Sequence, residues 1–234
     1  MRRVLAVLAL AGVVALMGAP LVSAAEVQVT FTQGTVFRGA TRQGPWEPVQ
    51  RGEGVSPASF LRTAEDGILE LGLGDGSVVR LAPDSIYQVD EAWFETGKPR
   101  RFSAQLFVGK LWARVRQPGR GGLGRFENRI PTAVIGVRGT VYDLRAAMDG
   151  SAEVRVYAGM VAVGPPMLIQ GGAREEMAWP GQVSEAQWEE IILGKLQRLR
   201  IGSDGRPGRP EAFDPRSVTD DWVKFNQRRD TGQP

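Results

Sequence analysis

Between residues 69 and 81 apolar side chains fall on every second position. Leu69, Leu71 and Leu73 are interrupted by Asp75-Gly76-Ser77, and the alternation resumes at Val79 and Leu81. Period two is the spacing of a strand with one face buried, and an Asp-Gly turn between two such runs predicts a hairpin. Gly67, Gly72, Gly74 and Gly76 would each cost a helix about 1 kcal/mol, so the stretch reads as strand. The same texture begins at "VQVTF" (27–31) and "GTVFRG" (34–39). It continues through "RFSAQLFVGKLWARV" (101–115), where Leu111, Ala113 and Val115 face away from Trp112 and Arg114. A last pair spans "YDLRAAMDGSAEVRVYAGMVAV" (142–163), with Asp149 and Gly150 at its turn. Short strands broken by glycine turns predict an all-β domain over 27–165, a rolled or sandwiched antiparallel sheet.

After Pro165 the pattern changes. Residues 166–183 read as loop. Residues 184–200 read as an amphipathic helix: Ser184 can cap it with Gln187 three residues on, and Trp188, Ile191, Ile192, Lys195 and Leu199 recur at helical spacing. A Pro/Gly-rich linker is expected over 201–217 and a short C-terminal helix over 218–230, capped by Thr219. Trp188, Trp222 and Phe225 are the anchors of this extension, placed to dock on the β domain in cis or on a partner protein.

At the other end, Arg2 and Arg3 precede an apolar run from Val4 to Met17, and Val22 and Ala24 make a small-residue cleavage site. This order predicts a secretory signal peptide over residues 1–24 and a periplasmic or secreted protein beginning at Ala25. No second run of about 18 apolar residues follows, so no transmembrane span is expected in the mature chain. Cleavage lowers the formal net charge from +3 to +1, which argues against nucleic acid as a partner. The chain has neither cysteine nor histidine. Disulfide staples, imidazole catalysis, histidine metal sites and thiolate nucleophiles are therefore closed to it.

One basic sector stands out. Lys98, Arg100, Arg101, Lys110, Arg114, Arg116, Arg120, Arg125 and Arg129 share their stretch with a single acid, Glu127. Arg114, Arg116, Arg120 and Arg125 are candidates for binding a glycan or another anionic envelope polymer. The other reading is a solvated strand face offset by Asp84, Asp90, Glu91 and Glu95. "GRGGLG" (119–124) lacks the lysine and hydroxyl of a phosphate loop, and the "DGS" turns at 75–77 and 149–151 lack the carboxylates of a calcium loop. Ser77, Ser85, Ser103 and Ser151 have no histidine to activate them and no lysine at a catalytic spacing. No catalytic residue, cofactor or metal is expected, and the chain is not read as an enzyme.

The segment "FLRTAEDGILELGLGDGSVVRLAPDSIYQV" (60–89), followed by "GKLWARV" (109–115), "TAVIGVRGTVYDL" and "EVRVYAGMVAV", resembles a FecR domain, the periplasmic β domain named after a bacterial iron-transport regulator. The resemblance implies an all-β interaction module. It marks Arg62 and Thr63, the turn Asp75-Gly76-Ser77, and the "RGT" signature Arg138-Gly139-Thr140 as structural signature residues. In that frame Arg138 is expected to clasp the sheet, with Asp75 or Asp143 as partner. Family regulators carry a cytoplasmic anti-sigma segment and a transmembrane helix before the sensor portion. This chain reaches its β domain soon after the signal, so sigma-factor control is not expected. The sequence-level reading is an exported protein-interaction or scaffolding module bound to an unidentified envelope protein, with anionic-polymer binding as the alternative.

Overall fold

The computed structural model describes residues 26–95, 97–117, 124–166 and 190–232. The signal-peptide segment, Arg120 and Trp188 lie outside them. Sixteen strands run in chain order: β1 (Val27–Gln33), β2 (Val36–Gly39), β3 (Glu47–Pro48), β4 (Phe60–Thr63), β5 (Ile68–Leu73), β6 (Val78–Leu81), β7 (Ile86–Trp93), β8 (Arg101–Arg114), β9 (Arg125–Ile130), β10 (Ala133–Val137), β11 (Val141–Ala146), β12 (Ala152–Ala158), β13 (Val161–Gly164), β14 (Ile191–Leu193), β15 (Gln197–Ile201) and β16 (Glu211–Ala212). One helix, α1 (Asp221–Thr231), closes the described chain.

The strands form two layers that share one long member. The first sheet runs β1-β5-β6-β8-β11-β12-β15-β16, and the second runs β3-β2-β4-β7-β8-β9-β10-β13-β14. Pairing is antiparallel except between β8 and β9. Strand β8 gives its first half to the second sheet, through β7 and β9, and its second half to the first, through β6 and β11. The corner is Gly109, at φ +107°. A Cβ there would stand 2.2 Å from Ser85 Oγ, so only glycine fits.

Inward positions alternate as period two requires. Leu69, Leu71, Val79, Leu81, Leu111, Ala113, Tyr142, Leu144, Val154 and Val156 face Tyr87, Val89, Phe102, Leu106, Phe126, Ile135 and Val163 across one core. A polar chain crosses it: the Tyr87 hydroxyl donates to Asn128 Oδ1 at 2.6 Å, and Asn128 Nδ2 donates to the Tyr142 hydroxyl. All three are fully buried, and burial pushes both phenols above their ordinary pKa. The antiparallel all-β architecture agrees with the sequence reading.

The C-terminal extension departs from it. The described part of the segment read as helix over 184–200 forms strand β14 and, after a turn, most of β15. Gly194 breaks the helical spacing, Leu196 takes a positive φ of 61°, and from there the chain alternates, with Leu199 and Ile201 buried and Arg200 exposed. The expected linker 201–217 contains β16 and a turn of 3-10 helix at Pro215–Ser217. The extension thus adds β14 to the edge of the second sheet and β15 and β16 to the edge of the first. Helix α1 forms where expected, but its N-cap is Asp220, whose carboxylate accepts from the Trp222 N–H at 2.9 Å, rather than Thr219. Gly232 closes the helix in the left-handed conformation, with Arg228 and Arg229 in the last turn.

Candidate functional site

The outer face of the first sheet carries one continuous cross-strand row. Phe31, Glu70, Arg80, Trp112, Asp143, Arg155, Arg198 and Glu211 stand opposite one another from β1 to β16. Two residues along, a second row runs Lys110, Arg145, Glu153, Arg200 on the same face. Two different structures are built on these rows.

On the β5-β6-β8 half the row is roofed by α1. Arg80, only 3% exposed, donates from Nε to Glu70 Oε2 at 2.6 Å and from Nη1 to Asp230 Oδ1 at 2.7 Å. The Trp112 indole N–H donates to Asp230 Oδ2 at 2.9 Å, and Arg229 reaches Glu70 at 3.2 Å while stacking on Phe31. Trp222 and Val223 pack with Ala82 and Trp112 in a second hydrophobic cluster, bordered by Phe225. Burial pushes the Glu70 carboxyl up, but hydrogen bonds from Arg80 and Thr30 and the charges of Arg80 and Arg229 overcome it and hold the group below its usual value. Trp222 and Phe225 are therefore docked in cis, one of the two alternatives that the sequence left open.

On the β11-β12-β15 half the row is open to a cleft of about 250 Å³ under the 213–220 segment. Arg145, Arg155 and Arg198 line it together with Phe213, Thr219 and Asp220. Arg145 Nε donates to Asp143 at 2.8 Å, Arg155 is paired with Glu153, and Arg198 Nε donates to Glu211 at 3.0 Å. Asp143 is fully buried; burial raises its pKa, and the neighbouring charges of Arg145 and Arg155 only partly offset this. None of these arginines belonged to the sector singled out in the sequence. A signal existed at Arg145 and Arg155, which sit at alternate positions on strands legible as such, but Arg198 was hidden by the helical reading.

The family-signature residues divide by type. Thr63 is buried; its hydroxyl donates to the Ala82 carbonyl at 2.7 Å and accepts from the Ser85 N–H at 2.9 Å, tying β4 to the β6-β7 turn. Thr140 is equally buried, and its hydroxyl donates to the Met160 carbonyl at 2.6 Å and accepts from the Met160 N–H at 3.2 Å, tying the turn before β11 to the turn after β12. Arg62 and Arg138, their signature partners, are exposed. Arg62 lies over the Trp46 ring, 5.9 Å from its centroid. Arg138 does not clasp Asp75 or Asp143; these are taken by Arg100 and by Arg145 with Arg155. Gly139 takes φ +64°, the turn that brings Thr140 inward and leaves Arg138 outside. In the "DGS" turn, Gly76 also takes a positive φ and Asp75 accepts from the Ser77 N–H and hydroxyl at 2.8 and 2.9 Å. Ser77 in turn accepts from the Arg116 N–H.

The basic sector is largely neutralised. Lys98 pairs with Glu95, Arg100 with Asp75, Arg101 and Arg125 with Glu91, Lys110 with Asp220, Arg114 with Asp230, and Arg129 with Asp90. Arg114, Arg116 and Arg125 do not converge on one site: Arg114 faces α1, Arg116 lies beside the Gly76 turn, and Arg125 lies on the second sheet. Among the described residues no three acidic side chains group to hold a metal, and no helix is long and apolar enough to cross a membrane. Lys98, Lys110 and Lys224 face carboxylates rather than serines.

Residues 59–162 match the family model described as FecR protein, so this part of the chain is a FecR domain. The matched span runs from β4 to the start of β13 with both threonine staples, and leaves β1–β3, β14–β16 and α1 outside. Two solved structures of a candidate anti-sigma factor from Parabacteroides distasonis, at 1.65 and 2.50 Å resolution, are similar at 18% and 17% identity, with TM-scores of 0.48 and 0.49. The likeness covers 68% of this chain and 62% of theirs. No curated protein matches.

Proposed function

We propose that this chain is an exported protein-interaction module of the cell envelope, without catalytic activity, in which the FecR domain is the scaffold and its signature arginines meet the partner. One observation carries the reading. In both signatures the threonine is a buried, doubly hydrogen-bonded staple, while the neighbouring arginine points to solvent and pairs with no carboxylate among the described residues. The fold uses Thr63 and Thr140 and leaves Arg62 and Arg138 available. Arg62 is held by Trp46, an aromatic and guanidinium pairing of the kind that anchors protein interfaces. The outer face of the first sheet offers no comparable opening at its centre, because α1 covers it. The paired state of the 98–129 sector weighs against anionic-polymer binding there.

A photo-crosslinking residue placed at position 62 or 138 of the full chain, irradiated in its native envelope, tests this. A reproducible protein adduct is expected from these positions and not from position 224 on the exposed side of α1. Equal labelling at all three, or none at 62 and 138, would overturn the reading.

A further inference from the structure

The open edge of the second sheet is a further interaction surface, and it does not depend on that reading. An edge strand presents unpaired backbone groups to any other strand, so folds blunt their edges with covering segments, short strands, proline or charge. Three of the four sheet edges among the described residues are blunted in these ways. The 52–55 segment runs along β1, with the Gly52 N–H donating to the Val29 carbonyl at 2.8 Å and the Val55 N–H to the Val27 carbonyl at 2.9 Å. Strand β3 is two residues long and carries Pro48, and β16 is two residues long and carries Glu211. The fourth edge, β14, reads Ile191-Ile192-Leu193, with neither proline nor charge. Leu193 is buried and Ile191 packs against the core, which holds the strand in place. Ile192 points the other way and is 50% exposed; Ala162 opposite it and Gly136 beyond are too small to shelter it. On its far side β14 has no neighbouring strand among the described residues. Charge then selects the occupant. Glu190 precedes the strand and Lys195 follows it, both are exposed, and neither forms an ion pair among the described residues. An antiparallel strand of the same sequence complements both ends at once.

We propose that β14 pairs with β14 of a second copy of this chain, antiparallel about a two-fold axis at Ile192, so that the two second sheets join into one. In that register Ile192 meets Ile192 of the partner subunit and covers it, and Ile191 stands opposite Leu193 of the partner subunit. Glu190 stands opposite Gly194 of the partner subunit and beside the partner subunit's Lys195, with no side chain at the glycine to separate the two charges. Each of these contacts occurs twice by symmetry. A three-residue edge buries little surface, so the dimer is weak and concentration-dependent.

Sedimentation velocity of the full chain over a wide concentration range tests the proposal, with a monomer–dimer equilibrium as the expected result. Ile192→Lys places a charge on the edge and should weaken association by about tenfold or more; the side chain is half exposed, so the melting temperature should hold. Glu190→Lys and Lys195→Glu each set like charges against one another twice and should each weaken association by about fivefold or more. Mixed together, these two single variants should associate with each other as well as the native chain does with itself, because every like-charge contact becomes an opposite-charge one. A chain that stays monomeric throughout, its edge closed by its own residues or kept for another protein, would overturn the proposal. So would a dimer that Ile192→Lys leaves intact, or a mixture of the two charge variants that associates no better than either alone.

Discussion

Arg80 on β6 and Asp230 at the end of α1 are 150 residues apart in sequence and joined by a 2.7 Å charge-assisted hydrogen bond. Around this bond the C-terminal helix becomes part of the β domain. Glu70 holds the other edge of the same guanidinium, and Trp112 holds the other oxygen of the same carboxylate. The tail thus stands as the roof of the first sheet.

Arg80→Ala should lower the unfolding free energy by about 3–5 kcal/mol, because it leaves Glu70 and Asp230 without their main partner in a largely buried place. Urea denaturation checks this, and a change below about 1 kcal/mol would mean that the network is too well hydrated to matter.

Acid should loosen the same roof. Glu70 and Asp220 both have pKa values held below their ordinary ones in the fold, so their contribution is present above the unfolded-state value and is lost as pH falls through the folded one. Asp143 is shifted upward, so its contribution runs the other way: it is full below the ordinary aspartate value and fades as pH rises through the folded one. Melting temperatures from pH 7 to about pH 3 should fall for the native chain. Glu70→Gln should start lower at pH 7 and fall less steeply; parallel curves would remove Glu70 as a contributor.

Gly109→Ala should be among the most disruptive small substitutions in the chain. The new methyl would meet Ser85 Oγ and Cα at 2.2 and 2.6 Å, and φ +107° is strained for any side chain. A loss of more than about 2 kcal/mol is expected by thermal or urea unfolding, from strain and steric overlap together. Retained stability would show that β8 can turn its corner elsewhere.

The sandwich was legible in the sequence where burial is one-sided. Leu69, Leu71, Leu73, Val79 and Leu81 all lie in the core, and Leu111, Ala113 and Val115 turn away from Trp112 as their alternation implied. The extension was less legible because Ile191, Ile192 and Leu199 satisfy helical spacing while Leu199 and Ile201 satisfy strand spacing, and short apolar runs do not separate the two. Membership of a sheet edge is a tertiary fact, decided by the free edges of β12 and β13. The "RGT" signature was found, and glycine at 139 admits the positive φ seen there, but which neighbour that turn sends inward is a tertiary fact, and the role fell to Thr140 rather than Arg138. The basic sector was half legible: of the acids named as its offset, Asp90, Glu91 and Glu95 do pair with it, whereas Asp75, Asp220 and Asp230 come from parts of the chain that only the fold brings near.

The most direct test of the division of labour between signature threonines and arginines is a paired measurement on four variants, recording urea stability and partner capture from envelope extract for each. Thr63→Val and Thr140→Val should each lose about 1–3 kcal/mol, the cost of leaving buried backbone groups unpaired. Arg62→Ala and Arg138→Ala should stay within about 0.5 kcal/mol of the native chain, as exposed substitutions do, and lose the partner. Destabilised arginine variants, or arginine variants that capture the partner as well as the native chain does, would contradict the account.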